Sequence, residues 1–322
     1  MAAENGKTKF SLQFLSKYMY LLSIVVVFAI FTILQPNFLS LYSIQNMCSE
    51  IAPRLIMACG LTFIIYTGGI DLGAGYMVSA TCVLTGLYLP KAGNWIIILV
   101  ALAGICMGTL NGLITTKLKL PSFIVTLCTQ NFWNYIALTL CPDGSVIVPM
   151  NMRNVTEWMT APILGLPATF WLSLVGLAAL YVFQQFTKNG RAIYSVGANA
   201  QAARVAGVNI DAAQISAFAV SGLCCAIAGI MYAYKLRAAN PTVGSTLQLS
   251  SLAAVALGGT SMAGGFGSVT RTLCGVITIT AVTSGLNILS VNPLWQNIII
   301  GIILIVAVIL NSDNGDRNLI IK

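Results

Sequence analysis

Residues 60–82 read GLTFIIYTGGIDLGAGYMVSATC, two apolar runs joined by a glycine-rich break that holds one acidic residue, Asp71. Gly68, Gly69, Gly73 and Gly75 let a helix stop and restart there. Asp71 has strongly apolar segments on both sides and no basic neighbour. A carboxylate in such a setting is costly in lipid, and its default reading is functional. Broken helices are tolerated at membrane depth only where the backbone lines a cavity or packs on protein. A second role also fits: Asp71 can accept N–H bonds at the start of the next helix and stabilise its positive dipole end. The topology below puts Asp71 near the inner membrane edge, which favours the cap.

The pattern around this break extends along the whole chain. Of 322 residues, 57% are hydrophobic and 7% charged, against about 25% charged in an ordinary globular protein. Ten apolar segments are predicted, at roughly 18–35, 50–67, 71–90, 94–114, 121–140, 168–187, 212–235, 246–262, 271–289 and 294–311. The first is read as a retained span rather than a signal peptide. Segment 246–262 is apolar only over 247–257, short for about 30 Å of hydrocarbon, so a half-helix or re-entrant element fits it too. With the N-terminus inside, Lys7, Lys9, Lys17, Lys117, Lys119, Lys188, Arg191, Arg204, Arg271, Arg317 and Lys322 lie inside. Only Lys91, Arg153, Lys235 and Arg237 lie outside, with Arg54 at an outer edge. This positive-inside bias supports ten crossings with both termini cytoplasmic. The fold class is therefore an all-α integral membrane protein, a single transmembrane domain over 1–322.

Two loops are long. The outer one, 141–167, carries Asp143, Arg153, Glu157 and four prolines and is read as irregular or bearing a short surface helix. The inner one, 188–211, has an Ala-rich middle, 199–205, predicted as a short helix bounded by Gly197 and Gly207. It is a natural docking element.

Several features exclude chemistry. The net charge of +8 does not point to nucleic acid, because the basic residues sit in short gaps where they set membrane orientation. There is no histidine, and the nine cysteines contain no C-x-x-C; they read as small side chains inside apolar runs. No metal site, bound cofactor or catalytic group is predicted. Gly6-Lys7-Thr8 mimics the end of a phosphate loop, but position 1 is Met rather than Gly. The cluster L-G-G-T-S-M-A-G-G-F-G-S (257–268) lacks the third glycine of a dinucleotide fingerprint and reads as a helix-breaking turn. Gly104, Gly108 and Gly112 recur every four residues, a spacing for close helix packing. Glu50 and Arg54, at i and i+4, read as a local ion pair rather than a substrate clamp. Trp295 is read as an interface anchor, and the amides Asn287, Asn292 and Gln296 beside it can face a polar cavity. Asn154-Val-Thr156 fits a glycosylation sequon and is read as accidental.

Seven stretches in order complete the reading: P-N-F-L-S (36–40), G-L-T-F-I-I-Y-T-G-G-I-D-L (60–72), P-S-F-I-V-T-L (121–127), G-R-A-I-Y-S-V-G-A-N (190–199), A-A-R-V-A-G-V (202–208), A-A-V-A-L-G-G-T-S-M-A-G-G-F-G-S (253–268) and G-L-N-I-L-S-V-N-P-L-W-Q (285–296). Together they resemble the membrane permease of bacterial ATP-binding-cassette (ABC) importers for ribose, other simple sugars and autoinducer-2. The resemblance implies an inner-membrane subunit that pairs with a second permease, alike or related. It implies that separate cytoplasmic ATPases bind ATP and Mg, and that an extracytoplasmic binding protein delivers the solute. It marks Gly190, Arg191, Gly197, Asn199, Ala203, Arg204 and Gly207 as the ATPase-coupling loop. Departures are visible: Ala200 and Gln201 stand where acidic residues often follow, and Gln248-Leu249-Ser250 replaces the usual E-L-D run. The break 68–76 is also changed, reading G-G-I-D-L-G-A-G-Y.

The expected function is passage of a small neutral sugar-like solute by alternating access. The candidate path residues are Asp71, Gln248, Ser250, Ser251 and Asn287. The candidate helix breaks are Gly68, Gly69, Gly258, Gly259, Gly264 and Gly265. With so little charge, the pore is expected to be lined by small and amide groups that disfavour ions, with no tight sugar site. A stand-alone secondary transporter would need a coupling-ion site, usually several intramembrane carboxylates. A membrane enzyme would need paired carboxylates, histidine or a nucleophile elbow, none of which is present.

Overall fold

The computed structural model describes residues 20–311. Lys7, Lys9, Lys17, Arg317, Lys322 and the Gly6-Lys7-Thr8 stretch lie outside them.

Among the described residues every predicted apolar segment holds a helix. They are α1 (Tyr20–Leu34), α2 (Leu41–Tyr66), α3 (Ala74–Ala92), α4 (Ile96–Lys117) and α5 (Ser122–Leu140). After a surface helix α6 (Arg153–Thr160) come α7 (Ala168–Phe186), α8 (Lys188–Ala198), α9 (Ala200–Val205) and α10 (Ile210–Leu236). The chain ends in α11 (Ser245–Leu257), α12 (Val269–Ile288) and α13 (Pro293–Asn311). Among the described residues five stretches are long and apolar enough to cross a membrane: α2, the run from α3 through α4, α7, α10 and α12. α1, α11 and α13 hold shorter apolar stretches.

The boundaries have local causes. α2 begins well before the predicted residue 50, because the Ser40 side chain accepts from the Ser43 N–H and caps it. α11 stops at Leu257, because Gly258 and Gly259 follow; at 13 residues it is about 20 Å long, short of a full crossing. The half-helix reading of this segment is the one that fits.

α2 and α10 form the centre. Leu55 through Tyr66 are almost wholly buried, and α10 packs against α2, α3 and α4. The glycine stripe does what its spacing predicts. A Cβ at Gly104 or Gly108 would overlap the backbone of Gly222 and Phe218 on α10, so these two helices meet backbone to backbone. The periphery is oily: Ile98, Leu102, Val175, Ile302 and Ile305 are exposed on the bundle surface, as lipid contact requires. The loop 141–167 forms α6 and small two-residue strands. β1 (Val146–Ile147) pairs with β4 (Ala238–Ala239), and β2 (Pro162–Ile163) with β3 (Leu166–Pro167). The nine cysteines are free; Cys106 and Cys128 are exposed rather than buried as read from the sequence, because they face outward on α4 and α5.

Candidate functional site

The break around Asp71 meets a second break, one the sequence did not reveal, at the start of α11. The N-terminal turns of α3 and α11 cross so closely that Gly75 and Gly244 leave no room for a Cβ on either backbone. Side chains lock the crossing. Gln248 accepts from the Gly75 N–H (2.6 Å) and donates to the Asp71 carbonyl (2.8 Å). Ser79 accepts from the Gly244 N–H at 3.0 Å. The rest of the break is satisfied from α5: Ser122 accepts from Ile70 N–H at 2.9 Å and Thr126 from Leu72 N–H at 3.0 Å. A non-helical backbone inside an apolar bundle needs such partners. Asp71 is fully buried; its Oδ1 accepts from the Gly73 N–H at 2.8 Å, while Oδ2 has no partner among the described residues. Asp71 therefore braces the turn before α3, whose capping residue is Gly73.

At the end of the bundle bearing α8 and α9, three glycine-rich segments converge on the Tyr66 carbonyl. Gly265 donates its N–H to it at 3.1 Å, and Gly197 packs so tightly on it that a Cβ would overlap. Gly264 lies against Gly68. Gly68, Gly259, Gly264 and Gly265 have positive φ, which glycine adopts without strain; Gly69 and Gly258 also follow helix ends. The inner loop is two helices rather than one. Gly197 falls in the last turn of α8, one residue before its end, and is kept small by the Tyr66 contact. Asn199 separates the helices and caps α9 by accepting from Ala202 N–H at 3.0 Å. Gly207, at φ +81°, stops α9 as predicted. Gly190 seats α8 against the Phe183 carbonyl, Arg191 donates to the Gln185 carbonyl at 3.2 Å, and Ala203 is buried. Arg204 is exposed and lines a cavity of about 410 Å³ with Thr67, Gly68, Lys119, Ser122 and Asp211.

A second cavity, of about 210 Å³, opens at the other end, the one bearing α6. It unites two candidate path residues, Ser250 and Asn287, with the hydroxyls of Thr246, Thr283 and Ser284 and the amides of Gln296 and Asn297. Asn287 accepts from Gln296 at 2.7 Å. Ser251 is not part of it; it is buried against Met57 Sδ. The cavity is not free of charge, contrary to the expectation for the pore: Glu50 and Arg54 both line it. Nor do these two form the predicted i, i+4 pair. Glu50 bonds Lys235 at 2.6 Å and Tyr232 at 3.3 Å on α10, while Arg54 donates to Thr280 at 2.7 Å on α12. The partners come from sequence positions about 180 and 230 residues away, which no local spacing rule reaches.

The two cavities lie at opposite ends of the Gln248 crossing. Thr246 and Ser250, on either side of Gln248, line one; Gly69, two residues before Asp71, lines the other. A bundle with lipid-facing flanks, broken helices meeting inside it and a polar cavity at each end is built to move a solute rather than transform it. The family model described as branched-chain amino acid transport system / permease component matches residues 43–308. The ribose import permease protein RbsC of Haemophilus influenzae is 31% identical over 95% of this chain and 96% of its own. The probable ABC transporter permease protein YphD of Escherichia coli K12 is 34% identical over 95% and 93%. The autoinducer 2 import system permease protein LsrC of Photorhabdus luminescens is 30% identical over 91% and 88%. A comparison with solved structures finds no match. The chain belongs to the permease family of ABC importers that includes these ribose and autoinducer 2 import permeases.

Proposed function

We propose that this chain forms half of a solute pathway in the bacterial cytoplasmic membrane, crossing it ten times, with the half-helix α11 and the non-helical chain before it together making one crossing, and with both termini and the α8–α9 end inside. A second permease, alike or related, completes the pathway. A cytoplasmic ABC ATPase, which binds ATP and Mg, docks on Gly190–Gly207, and a binding protein delivers solute to the α6 end. The solute is a small polyhydroxylated, sugar-like molecule, as the names of the relatives and the hydroxyl and amide lining suggest.

One observation carries this reading: Gly197 of α8 rests on the Tyr66 carbonyl, which also holds Gly265. The docking element thus touches both glycine breaks, one leading to α3 and the other following α11. A shift of α8–α9 on ATP binding is passed by rigid backbone contact to the Gln248 crossing, with no side-chain relay needed. Packed elements of this kind switch between discrete arrangements rather than deform smoothly.

Arg204 can pair with acidic groups of a docked partner, and a helix in a groove tolerates little added bulk. In proteoliposomes with the ATPase and binding protein, Arg204→Glu and Gly207→Trp are expected to abolish uptake while the chain stays inserted. Wild-type uptake by both variants refutes the docking assignment. The chain alone is expected to neither hydrolyse ATP nor transport; uptake by the lone chain on a proton or sodium gradient refutes the importer reading.

A further inference from the structure

Among the described residues Arg54 forms no salt bridge, and the one carboxylate that feels its charge, Glu50, is shared with Lys235. Arg54 is 7% exposed, and its only hydrogen bond among the described residues is to the Thr280 hydroxyl. Its Nε has no partner among them. The one carboxylate in the same cavity, Glu50, is already engaged by the Lys235 ammonium at 2.6 Å. The described parts of α11, α12 and α13 that close the cavity bring hydroxyls and amides but no charge. Glu50 is thus shared between Arg54 in the lining and Lys235 outside it, and this cluster of one negative and two positive groups carries one surplus positive charge, in a bundle where an unpaired ion is costly.

Resting on the reading of this chain as a permease, the geometry points to an acidic sugar, a polyhydroxylated carboxylate, as the solute that the α6-end cavity admits, with Arg54 as its recognition residue. A guanidinium presents forked donors that match a carboxylate bidentately. Thr246, Ser250, Thr283 and Asn297 supply neutral partners for hydroxyls. A monoanion matches the single surplus charge, whereas a phosphate dianion would exceed it. The cavity, of about 210 Å³, has room for more than one water and so for a small solute. Pro53 leaves the Ser49 carbonyl without its usual helical donor, so α2 is free to bend just beside this residue.

The test titrates the permease complex, purified with its ATPase in nanodiscs, with D-gluconate, D-glucose and acetate, following tryptophan fluorescence. Gluconate is expected to bind at least about tenfold tighter than glucose or acetate, the scale of a hydrogen bond to a charged group. Arg54→Gln removes the preference. Ser250→Asp, which places a carboxylate in the same cavity without touching Arg54, also removes it and serves if Arg54→Gln does not fold. Equal binding of glucose and gluconate by the wild type overturns the proposal. So does acetate binding as well as gluconate, or a gluconate preference that survives either substitution. Partner-stimulated ATP hydrolysis by the wild-type complex is measured in parallel. Intact stimulation without gluconate preference condemns the solute class alone, and absent stimulation condemns the permease reading.

Discussion

Gln248→Leu isolates the crossing of α3 and α11. The substitution keeps the volume roughly constant but removes an acceptor from the Gly75 N–H and a donor from the Asp71 carbonyl, bonds of 2.6 and 2.8 Å. Both backbone groups lie in the interior, and Gln248 itself is 7% exposed, so solvent does not replace what is lost. Each orphaned buried group costs about 1–3 kcal/mol, partly offset because the glutamine amide no longer has to be desolvated. A net loss of about 2–4 kcal/mol follows, large beside the few kcal/mol that hold two arrangements of a packed switch apart. The assay is paired: unfolding temperature of the purified chain, and basal ATP hydrolysis by the complex without solute. The variant is expected to unfold several degrees lower and to hydrolyse ATP faster without solute, because the barrier to moving the crossing is reduced. Gln248→Glu keeps the acceptor for Gly75 but turns the other oxygen on the Asp71 carbonyl, so it should lie between wild type and Leu in stability. An unchanged unfolding temperature for Gln248→Leu refutes the claim that this side chain holds the crossing together.

Two further outcomes follow from the geometry. Gly108→Leu drives a branched side chain into the Phe218 carbonyl and Gly222 of α10; it is expected to lower the amount of folded chain recovered in detergent, by more than the 1–3 kcal/mol typical of overpacking, as read by size-exclusion chromatography. Asp71→Asn keeps the acceptor for Gly73 N–H and removes an unpartnered buried oxygen, so transport and unfolding temperature are expected to stay near wild type, while Asp71→Ala loses about 1 kcal/mol; a well-folded but inactive Asn variant shows instead that the charge itself serves transport.

The sequence disclosed what depends on local pattern. Apolar runs placed the helices, glycine pairs placed the breaks, and the Gly104, Gly108, Gly112 stripe marked the α4 face that meets α10. The short inner-loop helix α9 was legible because its Ala-rich, glycine-bounded segment has few alternatives. What stayed hidden depends on pairs distant in the chain. Gln248 looked like a path residue because it is polar in an apolar helix, yet its amide is spent on the backbone of another segment. Gly197 does fall at a helix end; what the sequence did not show is that the Tyr66 carbonyl requires its smallness. Arg54 looked paired because Glu50 sits one turn away, and only the arrival of Lys235 and Thr280 from α10 and α12 separates them. The useful warning was the arithmetic of charge. Eight acidic residues against sixteen basic ones leave at least half of the cations without a carboxylate of their own, which made a buried arginine worth inspecting.

The same crossing bears on how little energy transport has to move. An ion pair at this depth would be hard to open, since each separated charge would face a penalty of several kcal/mol in a dry bundle. Gln248 supplies two neutral hydrogen bonds instead, each worth about 1 kcal/mol net when formed. Ser79 and Thr126 hold the neighbouring N–H groups in the same uncharged way. Such bonds fix one arrangement firmly enough to be unique and weakly enough for a docked partner to reverse. Charge lies instead in the cavity wall, at Glu50 and Arg54, and is absent from the bonds of the crossing. That division also explains why Asp71, although acidic and buried, is turned toward its own backbone rather than toward a basic partner. A carboxylate that braces a turn can ride with α3 as it moves, whereas one clamped to a distant cation would oppose the motion.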